Sequence, residues 1–276
     1  METPDNETAN TPLLETPQEP AAAAGPQTLA PAWHTAVLIA SILGISFTGS
    51  SRIAMLHGTP SRLTTYGTSA VMELAMLGWV ALGLRLHRIP LRSLLGSIDG
   101  GLRGVARDLG IALIFWIGAL MVLGTIGIAW AGTEAIIKRN HPTAGQAAPQ
   151  VSSQRQNARM LAQLAPGNAE ELAGWVLLCM LVGVVEETVF RGYLQRQFSA
   201  WARGGVAAGI VFSALVFGAA HGYQGARSMV LLAVFGALFS LLAHFRRSLR
   251  AGIFAHSWHD LITGLVLGLL KSHHLL

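Results

Sequence analysis

The sequence predicts an all-α, polytopic transmembrane helix bundle of about seven spans. Three observations carry that expectation. The chain of 276 residues is 52% hydrophobic and only 12% charged, with a mean hydropathy of +0.49, whereas an ordinary globular domain carries about 25% charged residues. Its apolar runs reach the roughly 17 to 25 residues that cross the hydrocarbon. They are continuous rather than alternating, which selects helices over a β-barrel. A single soluble core is excluded, because the chain lacks the polar surface to clothe one. A net charge of +5 and a pI near 10.1 do not point to nucleic acid, since the basic residues lie between apolar runs, where membrane orientation explains them. Cys179 has no partner for an intrachain disulfide and reads as a small hydrophobe.

Four regions follow in order. Residues 1–31 are rich in Pro, Ala, Thr and Glu, lack Lys and Arg, and read as a disordered tail. Glu2, Asp5 and Glu7 stand where a cleavable signal would carry basic residues, so the first span is expected to remain as an anchor. Residues 32–131 hold three spans, over 32–50, 64–86 and 109–131. Between the second and third, 91–108 mixes leucines with arginines and suggests an interfacial helix broken at Gly100 and Gly101. Residues 132–170 contain Pro, Gln, Gly and Ser and read as an extramembrane loop. Residues 171–276 hold four more spans, over 171–195, 204–221, 228–245 and 252–270, with Glu170 and Glu171 suited to a helix start.

Orientation follows from arginines in short loops. Arg85, Arg88, Arg92, Arg103 and Arg107 flank spans two and three, Arg196 and Arg203 separate four from five, and Arg246, Arg247 and Arg250 separate six from seven. Seven spans put all of them on one side. That side is read as cytoplasmic, with the N-terminus inside, and the Arg-over-Lys bias suggests a bacterial cytoplasmic membrane.

Ionisable residues inside spans are costly and mark functional candidates. Span four contains Glu186, Glu187 and Arg191; Glu187 and Arg191, at i and i+4, can pair, while Glu186 points about 100° away. One carboxylate is thereby neutralised and the other left free to act as a general base. Snorkelling of all three at the end of a span is the structural alternative. Span five ends with Phe217 and His221 on one face, and span seven places His256 and Asp260 at i and i+4, so that the carboxylate can bond the imidazole and fix its tautomer. His259 lies on a neighbouring face. Each pair alone fits interfacial capping or helix glue; acid and imidazole from three helices together are the inventory for activating a water. The groups meet only if span four continues toward residue 200 and span five is tilted or enters late. Glu73, alone in span two, is expected to bond a neighbouring helix, with a gating or substrate role as the alternative.

Glu186-Glu187-x-x-x-Arg191, Phe217-x-x-x-His221 and His256-x-x-x-Asp260, in this order across consecutive spans, resemble the CPBP family of intramembrane proteases. That family, also called ABI, includes CAAX prenyl endopeptidases and bacteriocin-processing or immunity proteins. The resemblance covers residues 171–270. It implies a peptide or protein substrate at the bilayer, with Glu186 activating water, Glu187 and Arg191 supporting it, His221 positioning the water, and His256 with Asp260 polarising the scissile carbonyl. Many relatives carry Asn where this chain has Asp260, and an ionised Asp cannot donate to an oxyanion. Glu186, His221 and His256 would also suit a zinc or other divalent metal, while glutamate and histidines can act on water without metal. Two other classes use the same residues: a non-catalytic scaffold or immunity protein, and a proton-coupled transporter, although no internal repeat typical of carriers is present.

Overall fold

The computed structural model describes residues 27–55, 61–97, 100–140, 158 and 161–275. Of the disordered tail expected over 1–31, residues 1–26 lie outside the described residues, as does most of the loop after residue 140; residues 27–31 depart from the expectation, since Leu29 and Ala30 are buried and bonded to Gln197. Within the described residues the chain is helical, with no strand. Its helices are α1 (Ala32–Met55), α2 (Arg62–Leu86), α3 (Gly101–Asn140), α4 (Ala169–Glu186), a π-helical segment π1 (Glu187–Leu194), α5 (Gln195–Trp201), α6 (Val206–Ala219), α7 (Ala226–Arg246) and α8 (Arg250–Ser272). Five rods are long and apolar enough to cross a bilayer: α2, α3, the continuous stretch 169–201, α7 and α8. The apolar part of α1, Ala32–Thr48, and α6 are shorter. Seven apolar helices therefore stand where about seven spans are expected, in an integral membrane protein.

Boundaries differ from the sequence expectation where local chemistry outweighs hydropathy. α3 has 40 residues, about 60 Å at 1.5 Å per residue, twice the hydrocarbon thickness. It runs past the apolar stretch into the expected loop because no proline interrupts it before Pro142. Trp130 Nε1 also donates to Glu134 Oε1 one turn on, at 2.7 Å. α6 has 14 residues, about 21 Å. It is shorter than the apolar run because Gly204, at φ +91°, belongs to the preceding turn and the helix closes before His221. The interfacial helix expected over 91–108 does not form. Leu91–Leu94 is a single 3-10 turn, Gly96, Gly100 and Gly101 take positive φ, and residues 102–108 belong to α3. At Gly96 a Cβ would overlap the carbonyl oxygen of Arg247.

The chain just before α1 is pinned. The backbone N–H of Leu29 donates to Gln197 Oε1 at 2.6 Å, and Gln197 Nε2 donates to the carbonyl of Ala30 at 2.7 Å. Above it, His34 stacks on Trp79 and meets the Tyr193 hydroxyl at 3.2 Å, which in turn meets Thr35 Oγ1 at 2.8 Å. α4 starts at Asn168, whose side chain accepts from the Glu171 N–H at 2.8 Å, and Glu171 pairs with Arg62 of α2 at 2.7 Å.

The three arginine-bearing connections meet at one end of the bundle. Asp108 is buried and paired with Arg246 at 2.9 Å, Arg250 at 2.5 Å and Arg107 at 3.3 Å, which ties α3 to the turn between α7 and α8. Arg196 donates to the Ser93 carbonyl at 2.8 Å, and Gly96 bridges to Ser248.

Helices without a hydrophobic drive to associate in lipid need close backbone packing. A Cβ at Gly183 of α4 would collide with Ser257 of α8, and one at Gly218 of α6 with Met229 and Ala233 of α7. The packed centre is π1, all eight of whose residues are buried. Val189, Phe190, Tyr193 and Leu194 join Val80, Leu84, Leu94 and Phe217 in one apolar cluster.

Candidate active site

The π-helical turn begins directly after Glu186. Such segments interrupt the regular i to i−4 ladder and recur at functional sites; neither propensity nor spacing revealed this one. The rod then resumes as α5 to Trp201, the continuation that lets the polar groups meet. Counted along each helix from the arginine-rich end, His256 lies about 9 Å in from Arg250, Glu186 about 15 Å from Arg196, and Asp260 about 15 Å from Arg250. By the same count His221 lies about 22 Å from Val206. All fall within hydrocarbon depth.

Glu187 and Arg191 pair at 3.0 Å with side chains 1% exposed each. A buried ion pair outweighs its desolvation only with added partners, and here they are supplied. Glu187 Oε1 also accepts from His256 Nδ1 at 2.9 Å. The Arg191 guanidinium donates to the Gly236 carbonyl at 3.3 Å and lies 4.4 Å from the Phe217 ring centroid and 5.1 Å from that of Phe239. Room for Glu187 comes from Gly252, where a Cβ would stand 3.0 Å from Glu187 Oε2.

Glu186 is placed differently. Its Oε2 is buried without a hydrogen-bond partner among the described residues and stands 3.5 Å from His256 Nε2. Asp260 Oδ2 is 3.7 Å from the same nitrogen, with a side chain 30% exposed. The tautomer of His256 is therefore not fixed by Asp260, as the i, i+4 spacing suggested, since 3.7 Å is too long for a hydrogen bond. Glu187 fixes it from the neighbouring helix, by accepting the Nδ1 proton. The Nε2 edge faces Glu186 and Asp260 together.

His221 follows the end of α6, and its Nδ1 donates to the Phe217 carbonyl at 2.9 Å. A carbonyl only accepts, so in the neutral ring Nε2 carries the lone pair. The Phe217 ring lies between the two histidines, 5.0 Å from the His221 centroid and 6.1 Å from that of His256. His259 turns away, accepting from Trp116 Nε1 of α3 at 3.1 Å, and His244, His273 and His274 are exposed at helix ends. Among the described residues no three His, Cys, Asp or Glu side chains stand close enough to hold a metal ion. The set Glu186, His221 and His256 is thus not a formed metal site among the described residues.

Residues 168–262 match the family model of the Rce1-like proteins, type II CAAX prenyl endopeptidases. The matched segment is Rce1-like. It contains every residue of the cluster just described, in agreement with the CPBP resemblance of the motifs, and relates the chain at family level to membrane endopeptidases. No curated protein and no solved structure matches the chain. Glu73 of α2, outside the Rce1-like segment, is the residue the sequence undervalued. Its Oε2 is buried and has no hydrogen-bond partner among the described residues. The available signal was a carboxyl at the middle of an apolar helix with Ser69, Ala70, Met76 and Leu77, and no cation, at helical spacing around it.

Proposed function

We propose that this protein is an intramembrane endopeptidase that hydrolyses a peptide bond of a membrane-associated substrate with water activated by Glu186. The observation that carries this reading is the unequal environment of two adjacent carboxyls. Among the described residues Glu187 accepts from both Arg191 and His256 through Oε1 and keeps only Oε2, beside Gly252, without a partner, whereas Glu186 bonds neither of them and presents its unpartnered buried Oε2 to the Nε2 edge of His256.

In the reaction Glu186 removes a proton from a water held also by the His221 Nε2 lone pair, and the water oxygen attacks the scissile carbonyl carbon. A proton on His256 Nε2 faces the carbonyl oxygen, and Glu187 stabilises the resulting imidazolium through Nδ1, as a carboxylate orients a catalytic histidine elsewhere. Arg191 holds Glu187 by an ion pair at 3.0 Å, turned toward His256. Asp260 borders the site where its protonated form would donate to the same oxygen. The arginine-rich end is assigned to the cytoplasm, with the N-terminus on that side, by the positive-inside rule. CAAX-type peptides are the first substrate class to try, since the Rce1-like family is described by them.

The test compares peptide termini in membranes of cells lacking the protein with cells making wild type or Glu186→Ala. Termini present only with wild type support the reading and name the substrate. Identical termini in the wild-type and Glu186→Ala membranes overturn it.

A further inference from the structure

Glu73 lies about 16 Å from the start of α2 and about 20 Å from its end, too deep for a glutamate side chain to snorkel to the interface. An isolated carboxyl at that depth is retained only for a partner or a task. Helix glue would show a hydrogen bond, and Glu73 Oε2 is buried without one among the described residues. Instead Glu73 interacts electrostatically with Glu186 of α4 and with His256 and Asp260 of α8. Glu186 Oε2 is likewise buried and unpartnered. Two carboxyl oxygens, one from α2 and one from α4, which packs on it, thus leave their bonding capacity unused within electrostatic reach of His256 and Asp260. Each unsatisfied buried group destabilises the fold unless something binds it.

We propose that Glu73 is a further proton-carrying residue of the hydrolysis, delivering the proton that the leaving amine requires. This deepens the peptidase reading and rests on it. Water gives one proton to Glu186 as its oxygen bonds the carbonyl carbon and the C=O electron pair moves to oxygen. The tetrahedral intermediate then collapses, the C–N bond breaks, and the amine nitrogen takes the proton of the Glu73 carboxylic acid. The proton collected by Glu186 refills Glu73, so each turnover consumes one water and returns both carboxyls to their starting state. A division between base and acid suits the fold, because Glu73 and Glu186 reach the cluster from two different helices that pack on each other, α2 and α4.

The experiment measures cleavage by wild type, Glu73→Gln and Glu73→Asp in lipid nanodiscs. The substrates are a panel of farnesylated, geranylgeranylated and unprenylated CAAX peptides and their thioester counterparts, whose thiolate leaves without a proton. Glu73→Gln is expected to lower kcat on the peptide by about 100-fold, within the usual range for a general acid, with KM within about 3-fold. Thioester cleavage stays within about 3-fold of wild type, which also shows the variant folded, and Glu73→Asp regains part of the loss. Equal losses on peptide and thioester, or unchanged peptide kcat, overturn the proposal. Should Glu73→Gln fail to fold, the peptide-to-thioester ratio of Glu73→Asp decides in the same way. If wild type cleaves no member of the panel and no terminus depends on Glu186 in membranes, the peptidase reading itself falls and takes this one with it. Wild-type cleavage with an unchanged ratio in Glu73→Gln sinks the Glu73 proposal alone.

Discussion

The Rce1-like segment, residues 168–262, and the helices before it treat charge in opposite ways. Within the segment, Glu186, Glu187, Arg191, His256 and Asp260 converge and are shared out unequally, so that Glu187 is bonded to both Arg191 and His256 through one oxygen while Glu186 bonds neither. In the N-terminal helices most charged and polar groups secure one helix to another. Asp108 holds Arg246 and Arg250, Arg62 holds Glu171, and His34, Thr35 and Tyr193 bond across α1 and π1. Glu73 departs from that pattern. Ion pairs and hydrogen bonds between helices build the frame, and the chemistry is assigned to Glu186 and Glu73, each of which keeps a buried oxygen without a hydrogen-bond partner among the described residues.

Substitutions can break that contrast, and the largest effect is expected at Glu186, considered last below. Next comes Arg191→Met, which strands the buried Glu187 charge. Breaking one side of a buried ion pair costs about 3–5 kcal/mol, so the thermal midpoint in detergent should drop markedly. Glu187→Gln combined with Arg191→Met should recover most of the midpoint but not the cleavage, because His256 keeps an amide acceptor at Nδ1 but loses the negative charge that stabilises its imidazolium. Recovery of full cleavage in the double variant would show that Glu187 is only framework. Gln197→Ala removes the clamp on Leu29 and Ala30. It is expected to cost about 1–3 kcal/mol in thermal unfolding with kcat unchanged, and a selective loss of kcat would blur the division between the two regions. The smallest effect is expected at Asp260→Asn. Because Glu187 rather than Asp260 orients His256, the variant should keep kcat within about 10-fold in a cleavage assay, and Asn, which donates at any pH, should flatten the alkaline limb of the rate profile. A 1,000-fold loss would restore Asp260 to the role that its spacing suggested.

Much of this was legible from the residues. Continuous apolar runs located the helices, since depth in lipid leaves no other way to satisfy the backbone, and the i, i+4 rule found the Glu187–Arg191 pair. Contacts between helices were not legible. Spacing tied His256 to Asp260 on its own helix, while the bond formed runs from His256 to Glu187 on π1. Hydropathy also misjudged ends, because α3 continues on local bonding after its apolar run stops and α6 closes before its own run does. Glu73 was passed over because one carboxyl in one helix has no pattern; only packing of α2 on α4 gives it neighbours.

The most direct measurement is kcat of purified Glu186→Gln in lipid nanodiscs, on the peptide that wild type cleaves. Gln keeps the shape of the side chain and removes its capacity to take a proton. A fall of about 100- to 10,000-fold, the range ascribed to a general base, at an unchanged thermal midpoint is the expected result. Cleavage within about 3-fold of wild type would contradict the assignment of water activation to Glu186.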